Sequence, residues 1–210
     1  MVESPVIRVI IVDDHPVVRF GLAAIINLQT DMSVVGAAES GEEACSIVSK
    51  KSADVVLMDL RLPGMSGAKA IERLREIRPE LRFIVLTTYD GDEDIHKALE
   101  AGAQGYLLKG MSHTEVTDAI RKVHTGSRCI PESVSKKLAK RPPQSELSAR
   151  ELEVLRQIAR GLSNREIGSE LGIAEATVKW HVNIILSRLG VSDRTEAIVA
   201  ALQRGIMHLP

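Results

Sequence analysis

A chain of 210 residues with 44 % hydrophobic residues can bury one generous core or two small ones. Aromatics make up only 2 %, so Leu, Ile, Val and Ala must fill those cores, and a net charge of −1 excludes a strong overall attraction to nucleic acid or membrane. The two cysteines, Cys45 and Cys129, lack metal-ligand spacing and read as reduced thiols of a cytoplasmic protein.

The charge is unevenly spread. Up to Thr125 there are 14 basic residues against 19 acidic, from Gly126 to Pro143 there are 5 against 1, and from Gln144 onward 8 against 8. An acidic body, a basic connector and a neutral tail predict separate jobs. The opening "MVESPVIRVIIVDD" has no cleavable signal pattern, and no apolar run approaches membrane-spanning length, so no membrane partner is expected.

In chain order, "VIRVIIV" (6–12), "SVVGAA" (33–38), "DVVLM" (54–58), "RFIVLTT" (82–88) and "GYLLK" (105–109) read as short strands. Their near-continuous apolar character suits a parallel sheet covered on both faces. Helical stretches lie between and after them, at 16–28, 41–50, 67–77, 92–101 and 113–124. "SGEE" at Ser40 and "SHTE" at Ser112 have the spacing of capping boxes, Ser capping the helix and Glu returning to the Ser amide. Five β-then-α repeats predict right-handed crossovers and a doubly wound five-stranded parallel sheet over residues 1–125.

The pattern then breaks. Residues 126–146 contain three prolines and a cluster of Lys and Arg, which reads as a linker with one helical turn. From 147 to 210 four short helices are expected, at 149–160, 164–171, 175–189 and 193–204, with two more capping boxes at Ser148/Glu151 and Ser163/Glu166. The fold class is thus α/β followed by a small all-α domain.

In an open parallel sheet ligands gather beyond the carboxyl ends of the strands. There the first strand delivers Asp13 and Asp14, the third Asp59, the fourth Thr87 and the fifth Lys109. Taken singly, "DD" is a helix cap or turn, Lys109 a surface charge and Thr87 a β-branched strand residue. Their conjunction at four neighbouring strand tips points elsewhere. Three carboxylates that close repel one another, and a hard divalent cation such as Mg²⁺ neutralises them while keeping waters that phosphate oxygens can replace. A carboxylate then serves as nucleophile toward phosphorus, Lys109 neutralises one phosphoryl oxygen and Thr87 donates to another.

In the tail, "EATVKWHVNIILSRLG" divides by its rotation of about 100° per residue. Val178, Val182, Ile185 and Leu189 share a core-facing arc, while Trp180, Asn183 and Ser187 lie opposite with Lys179 at the flank. His181 sits nearer the core side and has two readings, a half-buried packing residue or a DNA contact. With the preceding "SNREIGSELGI" this makes a helix-turn-helix whose second helix enters a major groove.

These segments resemble a known family. "IIVDDHPVVRFGL", "VVLMDLRLPGMSG", "VLTT" and "AGAQGYLLKG" are similar to the receiver domain of bacterial two-component response regulators, a flavodoxin-like fold. Residues 147–198 are similar to the LuxR/NarL-type output domain. The resemblance implies that Asp59 is phosphorylated by a sensor histidine kinase. It implies that Asp14 and Asp59 ligate Mg²⁺ directly, Asp13 through water, and the backbone carbonyl of Arg61 as well. Thr87 and Tyr106 match the switch pair, and Arg61 and Tyr89 stand where such proteins tune phosphoryl lifetime. Lys179, Trp180 and Asn183 would face base edges of promoter DNA, with Thr177 and His181 near phosphates, and binding as a homodimer is implied. Two departures stand out. Ala174 replaces the usual Ser or Thr N-cap, and Asn183 replaces a frequently basic residue, which favours adenine readout. The expected function is a phosphorylation-switched transcription regulator rather than an enzyme. Rivals are a regulator that has lost phosphorylation, a phosphatase working through an aspartyl phosphate, and an adaptor binding protein through Trp180. Arg61 stands where a phosphatase of this chemistry would carry a second carboxylate.

Overall fold

A computed structural model describes residues 6–88, 91–139, 141 and 146–208. Five strands, β1 (Ile7–Val12), β2 (Met32–Ala38), β3 (Val55–Met58), β4 (Arg82–Thr87) and β5 (Gly105–Leu108), alternate with five helices. These are α1 (Pro16–Asn27), α2 (Gly41–Lys50), α3 (Gly67–Ile77), α4 (Asp92–Glu100) and α5 (His113–His124). The sheet order is β2-β1-β3-β4-β5 and every neighbouring pair is parallel, the doubly wound flavodoxin-like arrangement expected.

The strands read as apolar runs because both faces are covered. Val9, Ile11, Val55, Leu57, Ile84, Leu86 and Leu107 pack with Leu22 and Ile26 of α1 and with Val116, Ile120 and Val123 of α5. The alternate residues Ile10, Val56, Met58, Phe83 and Val85 are buried too and point to the opposite face by the strand period. There α2 and α3 turn in Ala44, Val48, Ala70, Ile71 and Leu74. Each fully buried Ile, Leu, Val or Phe contributes about 1.5–3 kcal/mol. This stiff sheet holds the strand ends in place.

Local chemistry starts the helices. Ser112, Ser148 and Ser163 form full capping boxes with Glu115, Glu151 and Glu166. Ser40 departs from that expectation. Its hydroxyl accepts from the Glu43 amide, but the Glu43 carboxylate accepts from the backbone N–H of Glu39, one residue earlier. Ser66 and Asp193 cap α3 and the last helix without the Ser-x-x-Glu signature.

The second correction concerns the linker, where α6 (Glu132–Ala139) spans eight residues, more than the one turn expected. It buries Val134 and carries a Lys136–Glu132 pair at 2.8 Å, one turn apart. Beyond it lie α7 (Ala149–Ala159), α8 (Asn164–Leu171), α9 (Glu175–Leu189) and α10 (Arg194–Gln203). Val154, Leu155, Ile158, Ile167, Val178, Ile185, Ala197 and Ala201 form their aliphatic core. Gly172 ends α8 in the left-handed region, at φ 65°, where a side chain would be strained.

The chain divides into two units. One holds the described residues up to 88 with Ile95–Lys136, the other Gly91–Asp94 with the described residues from Lys137 onward. No helix among the described residues is long and apolar enough to cross a membrane.

Candidate phosphoacceptor site and nucleic-acid interface

The order reversal of the sheet falls between β1 and β3, and the chain leaving those two strands carries Asp13 and Asp59. The Asp59 amide donates to the Val12 carbonyl at 2.8 Å, which fixes the two strand ends side by side. Gly67 opens α3 beside this turn, and a Cβ there would run into the Asp59 carbonyl, so only glycine lets the helix start so close. Both Asp13 and Asp59 are buried, at 2 % and 3 % exposure.

Lys109, from the end of β5, reaches both. Its Nζ donates to Asp59 Oδ2 at 2.6 Å and lies 2.7 Å from Asp13 Oδ2. Burial alone would push the ammonium pKa down, but its hydrogen bonds to Asp13 and Asp59 and their charges outweigh this and raise it above the ordinary lysine value. Lys109 is therefore a fixed cation between two carboxylates. The Lys109 amide also donates to the Thr87 carbonyl at 2.7 Å, which joins the ends of β4 and β5. Thr87 is fully buried, as is Tyr106, opposite Val85 in the β4–β5 register. The Arg61 amide lies 3.3 Å from Asp59 Oδ1, so the Arg61 backbone borders the cluster. Tyr89 lies outside the described residues.

Asp14 is exposed, and beside it stands a residue that sequence reasoning passed over. His15 Nδ1 lies 2.6 Å from Asp14 Oδ1 and 3.3 Å from Asp13 Oδ1, while its amide donates to Asp13 Oδ1 at 2.9 Å. Ligand atoms of Asp13, Asp14, His15 and Asp59 all lie within 4.8 Å of one another, so these four could hold a metal ion. Three of the four are carboxylates, hard oxygen donors of the kind Mg²⁺ takes. Arg19 also belongs to the surround, its guanidinium donating to the Asp13 carbonyl at 2.6 Å. The position of Arg19, one turn into α1, was the available signal for it.

In the second unit α9 follows its helical wheel. Val178 and Ile185 are buried, and Val182 and Leu189 pack against the same core. Thr177, Lys179 and Asn183 are exposed, and Trp180 is 59 % exposed, large for the chain's single tryptophan. His181 is half-buried, its Nδ1 enclosed with no hydrogen-bond partner among the described residues, and its ring stands edge-on to Trp180 at 4.9 Å and 67°. Ala174 occupies the N-cap with no side-chain hydrogen bond, leaving the first turn of α9 uncapped. The far end is anchored: Arg188 pairs with the buried Glu151 at 2.6 Å and donates to the Glu146 carbonyl at 2.7 Å. Glu151 thus serves both the α7 cap and α9, and only the first role follows from the Ser-x-x-Glu spacing.

Comparison with known proteins identifies both parts. Residues 9–121 match the response regulator receiver domain, and residues 145–201 match the LuxR family of bacterial regulatory proteins. The chain belongs to the two-component response regulators and is a DNA-binding member with a LuxR-type output domain. Its relatives include the transcriptional regulatory protein LiaR of Bacillus subtilis, 42 % identical over 96 % of this chain and all of LiaR. The response regulator VraR of Staphylococcus aureus is 37 % identical over 96 % of this chain and 99 % of its own. Among solved structures, RcsB of Salmonella enterica serovar Typhimurium, bound to a promoter in the presence of the phosphomimetic BeF₃⁻, is 30 % identical. It superposes with a TM-score of 0.70, covering 92 % of this chain and 97 % of that one.

Proposed function

We propose that Asp59 is the phosphoacceptor of a receiver domain over residues 1–125, joined by residues 126–146 to a DNA-binding domain over 147–210. The observation that carries this reading is Lys109, held between Asp59 and Asp13 at 2.6 and 2.7 Å. A carboxylate oxygen of Asp59 attacks the phosphorus of a phosphohistidine on a sensor kinase. The new O–P bond forms as the P–N bond breaks, and the leaving imidazole takes up a proton. Lys109 neutralises one phosphoryl oxygen, and Thr87 at the neighbouring strand end donates its hydroxyl to another.

Asp13, Asp14 and Asp59 with the Arg61 carbonyl would hold Mg²⁺, which supplies charge neutralisation for the incoming phosphoryl group. Thr87 and Tyr106 form the switch: the hydroxyl turns toward the phosphoryl group and the Tyr106 ring fills the space behind it. The output is promoter binding as a homodimer in the cytoplasm. Lys179, Trp180 and Asn183 meet base edges, and Thr177 and His181 lie near phosphates. The promoter-bound RcsB neighbour supports this output.

Purified protein exposed to acetyl phosphate and Mg²⁺ is expected to gain one phosphoryl mass. The adduct should be absent without Mg²⁺ and absent in Asp59→Ala. Selection of duplex DNA sites with and without the adduct then tests the output. An unmodified mass under all conditions would overturn the phosphoacceptor assignment.

A further inference from the structure

Among the described residues β5 is the last strand of the sheet, so its outer edge would present unpaired backbone groups. The chain returning from α5 covers that edge. The Cys129 amide donates to the Gln104 carbonyl at 2.9 Å, and the Tyr106 amide donates to the Cys129 carbonyl at 3.0 Å. Together they make a parallel bridge between Gly105 and Cys129. Cys129 is half-buried against the core that includes Leu107 and Val116. Tyr106 is thereby held on both sides, by β4 with Thr87 at its end and by the segment around Cys129.

The chain just beyond Cys129 is stiff. Pro131 has a fixed φ, its carbonyl accepts from the Ser135 amide at 3.0 Å, and α6 begins at Glu132. Only Ile130 and Pro131 therefore separate the residue bridged to β5 from the start of α6. A displacement of β5 has no slack loop in which to dissipate before it meets that helix.

We infer that the backbone bridge between β5 and Cys129 is the element through which phosphorylation at Asp59 acts on the segment joining the two units. This rests on the phosphoacceptor reading above. A phosphoryl group that draws Thr87 and Tyr106 into a new arrangement favours a different pairing of β5 with Cys129, and α6 follows that pairing. Coupling requires the two pairings to differ in free energy with and without the phosphoryl group, and the contacts that would carry the difference are the two bonds of the bridge, Cys129 to Gln104 and Tyr106 to Cys129.

The full chain carries its own probe. Alkylation of Cys129 by iodoacetamide is followed by peptide mass spectrometry, with Cys45 on α2 as internal reference, while the Asp59 adduct is measured in the same sample. The Cys129-to-Cys45 rate ratio is expected to change by about fivefold or more on adduct formation, the lower end of ordinary allosteric coupling, and not in Asp59→Ala. An adduct with an unchanged ratio overturns this inference alone, and no adduct overturns it together with the phosphoacceptor assignment. In a second arm, Cys129→Pro removes the donor to Gln104, whereas Cys129→Ala leaves the backbone bridge intact. With the adduct present, the phosphorylation-dependent change in DNA affinity should be lost in the first and kept in the second. A response retained in Cys129→Pro would overturn the inference.

Discussion

Asp13, Asp59 and Lys109 come from the ends of three strands and meet in a nearly buried cluster whose members hold one another in place. Thr177, Lys179, Trp180 and Asn183 come from a single stretch of one helix and stand exposed, on the face proposed to meet DNA. The first site is assembled by the tertiary fold and carries its electrostatic cost within the free protein. The second is assembled by helix periodicity alone, and on the proposed reading its electrostatic work begins only when a polyanion arrives. Substitutions should accordingly change stability in the first and affinity in the second.

The largest effect expected is in Lys109→Ala, which leaves Asp13 and Asp59 buried without their cation. A loss of about 3 kcal/mol in urea unfolding without Mg²⁺ is expected, partly restored by adding it. If Mg²⁺ restored nothing, the carboxylates would not be acting as a cation site. In the second unit, Asn183→Ala should weaken specific DNA binding by about 1–3 kcal/mol and relax selection at one base, with unfolding unchanged. Lys179→Ala, at the other polar residue proposed to meet a base edge, should likewise cost about 1–3 kcal/mol of specific binding and relax selection at a second base. An unfolding midpoint that moved in either variant would blur the contrast between the two sites.

Smaller effects sharpen the same contrast. Ala174→Ser supplies the absent N-cap of α9 and should stabilise the protein by about 1 kcal/mol in thermal unfolding. Asp54 accepts from Arg8 through both carboxylate oxygens, at 2.6 and 3.0 Å, and that side-chain hydrogen bonding is the chief reason its pKa is lowered. A depressed carboxylate pKa adds stability above the unfolded value, about 3.9, and that stability is lost as pH falls through the lower folded value. Asp54→Asn should therefore cost about 1 kcal/mol near neutrality, and its unfolding curve should converge with the parent's well below pH 4.

The element order, the parallel sheet and three of four capping boxes were legible because each depends on local period or spacing. The convergence of Asp13, Asp59 and Lys109 was legible because the ends of parallel strands share one edge. The capping box failed at Ser40, where Glu43 turned instead to the Glu39 amide, a competition between two neighbouring donors that spacing cannot rank. The length of α6 was underestimated because only Val134 marks a buried face in a run rich in Lys and flanked by prolines. His15 escaped notice because its approach to Asp14 depends on the backbone turn after β1, and the Arg188–Glu151 pair because it joins two helices 37 residues apart.

The scarcity of aromatics leaves one tryptophan, and it stands on the outer face of α9. Indole emission from the whole protein therefore originates at a single point, on the proposed groove-facing side. Titration with duplex DNA should change its intensity and wavelength without any attached dye. Chemistry at Asp59 should reach that signal only when it alters α9, so one cuvette can tell whether a change made at the sheet has arrived at the helix.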